Sequence, residues 1–443
     1  MEVYSPMSRV FGKVFLLFVV VVCGVWVSPI LSADWPQWRG PSRDGVWSET
    51  GIVERFDARG LPIKWRAAIG SGYNGPTVAD GRVFVMDRVT EPSQQERIHS
   101  FDAQTGERLW SYAYDCPYER VEYKAGPRAA IAVSDGRAYA LGTMDHLHCL
   151  DAKSGQLLWE HDGQKEYRAR VPVWGVAGAP LVENDLVIVP MGGQDGACLI
   201  AFDKATGEER WRALADPLSY SAPIIIEQAG ARVLVYITGR RIVGLDPRTG
   251  RLYWEHPFLP KNMVITVATP VFDGEHLIAT SFYDGMLLLK VHQDRLAVEQ
   301  LWRRRGASER DTDALHCCIS TPIIQGDRIY GVDSYGELRC LDLKTGDRLW
   351  EDLTATPKAR WSNIHMIRNG NCVWMLNERG ELVISRLAPD GFHEISRPKL
   401  IDPTPGQLDQ RGGVTWSHPA FANRCIFARN DRELLCADLS AKP

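Results

Sequence analysis

The sequence predicts an all-β protein: an eight-bladed β-propeller of four-stranded antiparallel blades, with the ring closed by strands from both chain ends. Three observations carry that expectation. The pattern Asp-x-x-Thr/Ser-Gly-x-x-x-Trp occurs five times, in FDAQTGERLW, LDAKSGQLLW, FDKATGEERW, LDPRTGRLYW and LDLKTGDRLW. Its tryptophans, Trp110, Trp159, Trp211, Trp254 and Trp350, fall 43–52 residues apart, the last after a doubled interval. Between them lie short apolar runs broken by turn residues, four per period, which is the content of one propeller blade.

Taken in order, the chain begins with a segment that reads as a secretory signal peptide, residues 1–33. Arg9 and Lys13 precede the apolar run VFLLFVVVVCGVWVSPIL, and Leu31-Ser32-Ala33 ends in a small residue suited to signal peptidase. The run is nearly long enough to span a bilayer, so an uncleaved anchor is the alternative and the one route to membrane association. Residues 34–60, with DWPQWRGPSRDGVWSETGI, are expected to pack outside the ring, and residues 61–443 to form it. A chain of 443 residues exceeds one ordinary core, and a repeat architecture accounts for that length. The formal net charge is −4 with no long basic run, which argues against nucleic acid as a partner.

The first ring strand, LPIKWRAAI, places Trp65 where the tryptophan of a fourth strand belongs. Opening strands follow near residues 75, 129, 178, 221, 268, 320, 364 and 417, giving eight units. Unit five keeps Trp302 without the Thr-Gly turn, and unit seven lacks the motif, which leaves seven blades as the alternative. Unit eight, SHPAFANRCIFARNDRELLCADLS, stops after three strands, and the Trp65 strand supplies its fourth. Such closure removes a sheet edge that would otherwise invite aggregation. In the repeated turn the Asp accepts backbone N–H groups and the Gly adopts positive φ. Trp65, Trp110, Trp159, Trp211, Trp254, Trp302 and Trp350 are expected to be structural, each wedged against the adjacent blade. Cys149, Cys340 and Cys436 hold matching places in separate blades, too far apart for a disulfide, and are expected to be buried thiols.

The repeated element resembles the tryptophan-docking motif of the PQQ-like β-propellers, over about residues 61–440. That superfamily comprises the eight-bladed quinoprotein alcohol dehydrogenases and the non-catalytic outer-membrane assembly factor BamB. The resemblance implies two functional classes. The favoured one is a monomeric binding scaffold in the periplasm or cell envelope, with no cofactor, whose loop-rich face docks a protein partner or an extracytoplasmic small molecule. The alternative is a dehydrogenase holding PQQ with Ca²⁺ in the central channel.

In a propeller, the loops leading into the first strands rim the channel, and here they are rich in Trp, Tyr, His, Asn and Arg. Convergent groups of this kind mark a binding site. The candidates are Arg128, Trp174, Asn262, Asp284, Cys317, Cys318, His365 and Trp416; catalytic residues are unassigned. For a quinone site the resemblance implies a Trp floor, an Arg, acidic and amide Ca²⁺ ligands and a catalytic Asp, roles open to Trp174, Arg128, Asn262 and Asp284. The sequence has no Cys-x-x-Cys-His haem site, and His316, His365 and His418 match no zinc spacing, so no metal site is expected. For the adjacent Cys317 and Cys318 the resemblance implies a vicinal disulfide. Strand-like alternation through Ile319 instead implies two thiols facing opposite ways.

Overall fold

Each repeat supplies three short apolar strands and one amphipathic strand, and that composition decides the order within each sheet. The computed structural model describes residues 1–4, 33–57 and 60–441, and these form eight four-stranded antiparallel sheets. Blades 1 to 7 take consecutive strands within 77–115, 132–162, 181–213, 224–257, 271–304, 323–352 and 364–396. Blade 8 joins Ala420–Ala422, Cys425–Arg429 and Glu433–Asp438 to Ile63–Ala68 as its outermost strand. Trp65 stands opposite Cys436 in that last pairing. The ring therefore has eight blades and is closed by strands from both ends. Apart from residues 1–4 and Ala33, the expected signal segment lies outside the described residues.

The repeated turn performs two tasks at once. In blade 1, Asp102 Oδ1 accepts from the N–H groups of Gln104 (2.9 Å) and Thr105 (2.8 Å), so these backbone donors hold its carboxyl below the usual range. Gly106 follows at φ +74°, closing the hairpin. A Cβ at Gly106 would stand 2.6 Å from the Trp65 indole, a ring belonging to blade 8. The same contact links Gly155 to Trp110, Gly207 to Trp159, Gly250 to Trp211 and Gly346 to Trp302. Each tryptophan thus lies on the turn glycine of the next blade, not of its own. The indole N–H then donates to a main-chain carbonyl of that same turn: Trp65 to Ala103, Trp110 to Ala152, Trp211 to Pro247 and Trp302 to Leu343, at 2.9–3.1 Å. One motif therefore serves two joints. Its turn receives the preceding blade, and its tryptophan clasps the following one. Burying an indole this way stabilises each joint by about 4–6 kcal/mol on area alone.

Opposite six of the seven docking tryptophans, on the neighbouring third strand, stands a small partner; Trp302 of blade 5 faces Leu288 instead. Ser100, Cys149, Ala201, Gly244, Cys340 and Cys436 fill that place in blades 1, 2, 3, 4, 6 and 8. The matching cysteines are members of this small-residue series, and they are buried free thiols. Four joints depart from the pattern. Blade 7 has no Thr-Gly turn for Trp350, whose indole donates to Ala388 O (3.0 Å). Its own outer strand, Gly391–Ser396, carries no tryptophan for blade 8. The Trp159 indole N–H has no acceptor, because the Tyr139 hydroxyl has taken the equivalent carbonyl, Lys204 O, at 2.9 Å. Blade 5 has no Thr-Gly turn to receive Trp254. Its indole donates instead to Gln228 Oε1 (2.8 Å), whose amide donates onward to Ala297 O (2.8 Å) in the blade 5 hairpin.

Residues 34–60 fall into two parts. Residues 35–47 lie across one end of the channel, while Ile52, Val53 and Phe56 pack against blades 7 and 8. Trp35 pairs with Val78 of blade 1, and Val133 N–H of blade 2 donates to Pro36 O. Trp38 packs on Ala130, Ala179 and Ala222 and donates its indole N–H to Thr269 Oγ1 (2.7 Å). Trp47 N–H donates to Arg368 O of blade 7, and its ring meets Trp374 (5.4 Å) and Phe421 (4.8 Å). The alanines of the leading segments leave room for this crossing.

Candidate functional site

The other end of the channel opens as a funnel whose floor is Trp38. Its wall is a nearly continuous belt of aromatic rings contributed by the leading loops. Tyr73, Trp416, Tyr123 and Trp174 follow one another at centroid distances of 6.1–6.5 Å, and Trp174 continues to Tyr220 (5.4 Å) and Trp361 (6.0 Å). Trp361 stacks on Phe282 at 4.3 Å, and the exposed Arg360 guanidinium lies 4.4 Å over the Trp361 ring. The cavity measures roughly 160 Å³, and no Asp, Glu, Asn or Gln lines it. Such a wall favours apolar and planar groups, with cationic side chains at the rim to orient them.

Beneath the belt two histidines sit close to Trp38, His418 at 4.6 Å and His365 at 6.4 Å between ring centroids. Burial drives both toward the neutral form. It pulls the His365 imidazole down to about 4, helped by the nearby Arg39 charge, and His418 to about 3, helped by His365. His365 Nε2 lies 2.8 Å from Trp416 O, whereas His418 Nε2 has no partner. The Trp174 indole N–H is likewise buried and unpartnered. Two unmatched polar atoms in an apolar cavity are places where a bound group can hydrogen-bond.

Of the candidates read from sequence, Arg128, Trp174, Cys318, His365 and Trp416 line the funnel. Arg128 is committed to shaping the loop: its Nη atoms donate to Gly126 O (2.6 Å), Glu122 O (2.9 Å), Tyr123 O (2.6 Å) and Thr143 Oγ1 (3.2 Å). Three candidates lie elsewhere. Asn262 is exposed on its loop and takes no part in the lining. Asp284 is buried beneath that loop, where it accepts from Lys261 N–H (2.6 Å) and Ser281 Oγ–H (3.1 Å). Cys317 turns into the blade core with Leu315 and Met286, while Cys318 turns to Phe282 and Ile265 beside the funnel. Both are free thiols facing opposite ways, and burial pushes Cys318 up to about 12. His316 is a structural group, with Nδ1 on Phe282 O (2.9 Å) and Nε2 accepting from Gly306 N–H (3.1 Å). Sequence reasoning did not single out Tyr73, Tyr123, Tyr220 or Trp361, although each lies in a leading loop whose aromatic content was visible, and it weighed His418 only against a zinc spacing. Trp38 carried no such signal.

This donor set does not fit a quinone held with Ca²⁺. Calcium needs six to eight oxygen ligands, and the funnel offers no carboxylate or side-chain amide. Asp284, the carboxylate proposed for such a site, is turned to the neighbouring loop at Lys261. Among the described residues, no group of three or more His, Cys, Asp or Glu is arranged to hold a metal ion.

Fold and funnel together define a tryptophan-docked propeller with an aromatic binding pit. The family model described as outer membrane protein assembly factor BamB matches residues 56–121, 94–352 and 297–441, and the chain belongs to that family. The chain is 26% identical over 374 residues to outer membrane protein assembly factor BamB of Burkholderia pseudomallei, covering 80% of this chain and 87% of that protein. It is also 30% identical to quinohemoprotein alcohol dehydrogenase ADH-IIG of Pseudomonas putida, over 45% of this chain and 30% of that one. Among solved structures, BamB from Moraxella catarrhalis superposes with a TM-score of 0.59 at 15% identity, covering 85% of this chain and 99% of that chain. Quinohemoprotein alcohol dehydrogenase from Comamonas testosteroni superposes at 0.64 and 13% identity, covering 93% and 81%. The two structural likenesses show the shared fold.

Proposed function

We propose that the protein is an exported, non-catalytic scaffold of the cell envelope that docks a protein partner of outer-membrane assembly through its aromatic funnel. The supporting observation is the match to the assembly-factor family, which runs the length of the ring, whereas the dehydrogenase match covers less than half of the chain. The funnel chemistry agrees with this reading. An apolar or aromatic side chain on a partner loop would fill the pit, while Arg360 at the rim would meet an acidic neighbour. The quinone reading lacks its carboxylate and amide ligands and is not adopted.

A photo-crosslinking residue at Trp361 or Tyr123, on the rim, is expected to capture a component of the outer-membrane assembly machinery in intact cells. The same residue at Leu109, exposed on an outer strand, is expected to capture none. Equal capture from all three positions would defeat the proposal. So would saturable PQQ binding in the presence of Ca²⁺ that Trp174→Ala abolishes.

A further inference from the structure

The segment that floors the funnel also builds a second site. Residues 39–44, on the same crossing as Trp38, carry two arginines that sequence reasoning left without a role. Arg39 is 7% exposed and Arg43 4% exposed, yet neither pairs with a carboxylate among the described residues. Arg39 Nη2 donates to Asp44 O (3.0 Å). Arg43 donates to Pro180 O (2.8 Å), Ala179 O (3.1 Å) and Gln37 Oε1 (3.1 Å), and its buried Nε has no acceptor. Arg368 from blade 7 is close enough to Arg39 to repel it, and its own buried Nε is also unmatched. All three line one cavity of roughly 410 Å³, walled by Ile224, Ile226, Phe272 and Ile324.

Three guanidinium groups lining one cavity are costly to bury without a full counter-charge. The neighbouring carboxylates supply it only in part: the Asp44 charge favours Arg39, whereas Arg43 has only the cost of burial. Asp44 is exposed and accepts from Val46 N–H (2.9 Å), and Asp273 accepts from the N–H groups of Glu275 (2.9 Å) and His276 (2.7 Å). Glu183 and Glu227, beyond Arg43, are both held by Arg232. Burial accordingly pulls Arg39 down to about 10 and Arg43 to about 9. A bound anion would reverse that penalty, and the planar fork of arginine suits the oxygens of a phosphate, which accept paired N–H bonds and carry up to two charges. The cavity lies within the size range of small-molecule pockets, and the Ile224, Ile226, Phe272 and Ile324 part of its wall, beside the polar Ser42, Asp44 and Asp273, accommodates a carbon skeleton behind the anion.

We propose that this basal cavity is a binding site for a small phosphomonoester, with Arg39, Arg43 and Arg368 gripping the phosphate and the isoleucine and phenylalanine wall receiving the carbon body. It is separate from the funnel, from which the 35–47 segment divides it, and it does not depend on what the funnel docks.

Titration calorimetry of the intact protein at constant ionic strength tests the assignment, with inorganic phosphate, glycerol 3-phosphate and chloride as probes. Saturable binding of both phosphates is expected, with glycerol 3-phosphate at least as tight, and no saturation by chloride. Arg43→Gln removes two bonds to the ring and one to Gln37 and puts folding at stake, so Arg368→Gln, a half-buried position, is the decisive variant. It should weaken both phosphates by about tenfold or more, the loss of one charge-assisted contact, with an unchanged circular dichroism spectrum. Binding unaffected by Arg368→Gln, or indistinguishable from chloride, overturns the site. Binding of inorganic phosphate with rejection of glycerol 3-phosphate overturns the ester as its ligand.

Discussion

At the residue scale the sharpest test concerns the two neutral histidines under the funnel. Their folded-state values, about 4 for His365 and about 3 for His418, lie below the ordinary 6.5. Between pH 6.5 and 4 the unfolded chain therefore binds more protons than the folded one. The stability they contribute is complete above pH 6.5 and is lost as pH falls. At pH 5 each imidazole accounts for up to about 2 kcal/mol of that loss. Buried acids act in the opposite sense: burial raises Asp333 to about 7 and lifts Glu378 as well, so the wild-type profile is a sum of both trends. The double variant His365→Gln, His418→Gln isolates the histidines. Between pH 7 and pH 5 it should lose about 2–4 kcal/mol less unfolding free energy than wild type, measured by urea denaturation at each pH. Parallel losses in the two proteins would contradict the neutral, buried assignment.

At the element scale the ring is a chain of clasps, and one of them is bridged by a single side chain. Where blade 5 lacks the Thr-Gly turn, Gln228 receives Trp254 and passes the contact to Ala297. The amide is fully buried, so its removal leaves an indole N–H and a carbonyl unmatched in an apolar joint. Gln228→Ala should cost about 2–4 kcal/mol in thermal or chemical unfolding. In a cycle with Trp254→Phe the two losses should be strongly non-additive, because both break one relay. Additive losses would show that the two side chains act separately. The motif was legible because it is local and repeated: an Asp, a Gly and a Trp at fixed spacing state their own turn and their own partner. The relay was not, since Gln228 lies 26 residues before Trp254 and has meaning only once the blades are side by side. For the same reason the leading loops revealed a functional face without showing which side chains turn inward. Trp416 and His365 reach the funnel, while Asp284 is held by the backbone of a neighbouring loop.

At the scale of the whole molecule, what was legible was the ring and what was not was its plug. Eight periods and two incomplete ends imply closure by counting alone, whereas DWPQWRGPSRDGVW occurs once and follows no period. Its Trp and Arg positions make sense only against the channel wall they cross. Closure itself rests on the Ile63–Ala68 strand, which pairs with Glu433–Asp438 and sends Trp65 onto Gly106 of blade 1. Removing residues 61–68 would strip a full ladder from blade 8 and leave the glycine platform of blade 1 bare. The exposed strand, with Leu434, Leu435 and Cys436 fully buried in the intact ring, would become an apolar edge open to other chains. The deletion should therefore aggregate at micromolar concentration in light scattering. Trp65→Ala keeps the strand and loses only the clasp, so it should stay monomeric while unfolding about 3–5 kcal/mol more easily. The contrast between the two separates edge protection from docking. A deletion protein that remains monomeric and melts like wild type would mean that seven complete blades hold the ring without its closing strand.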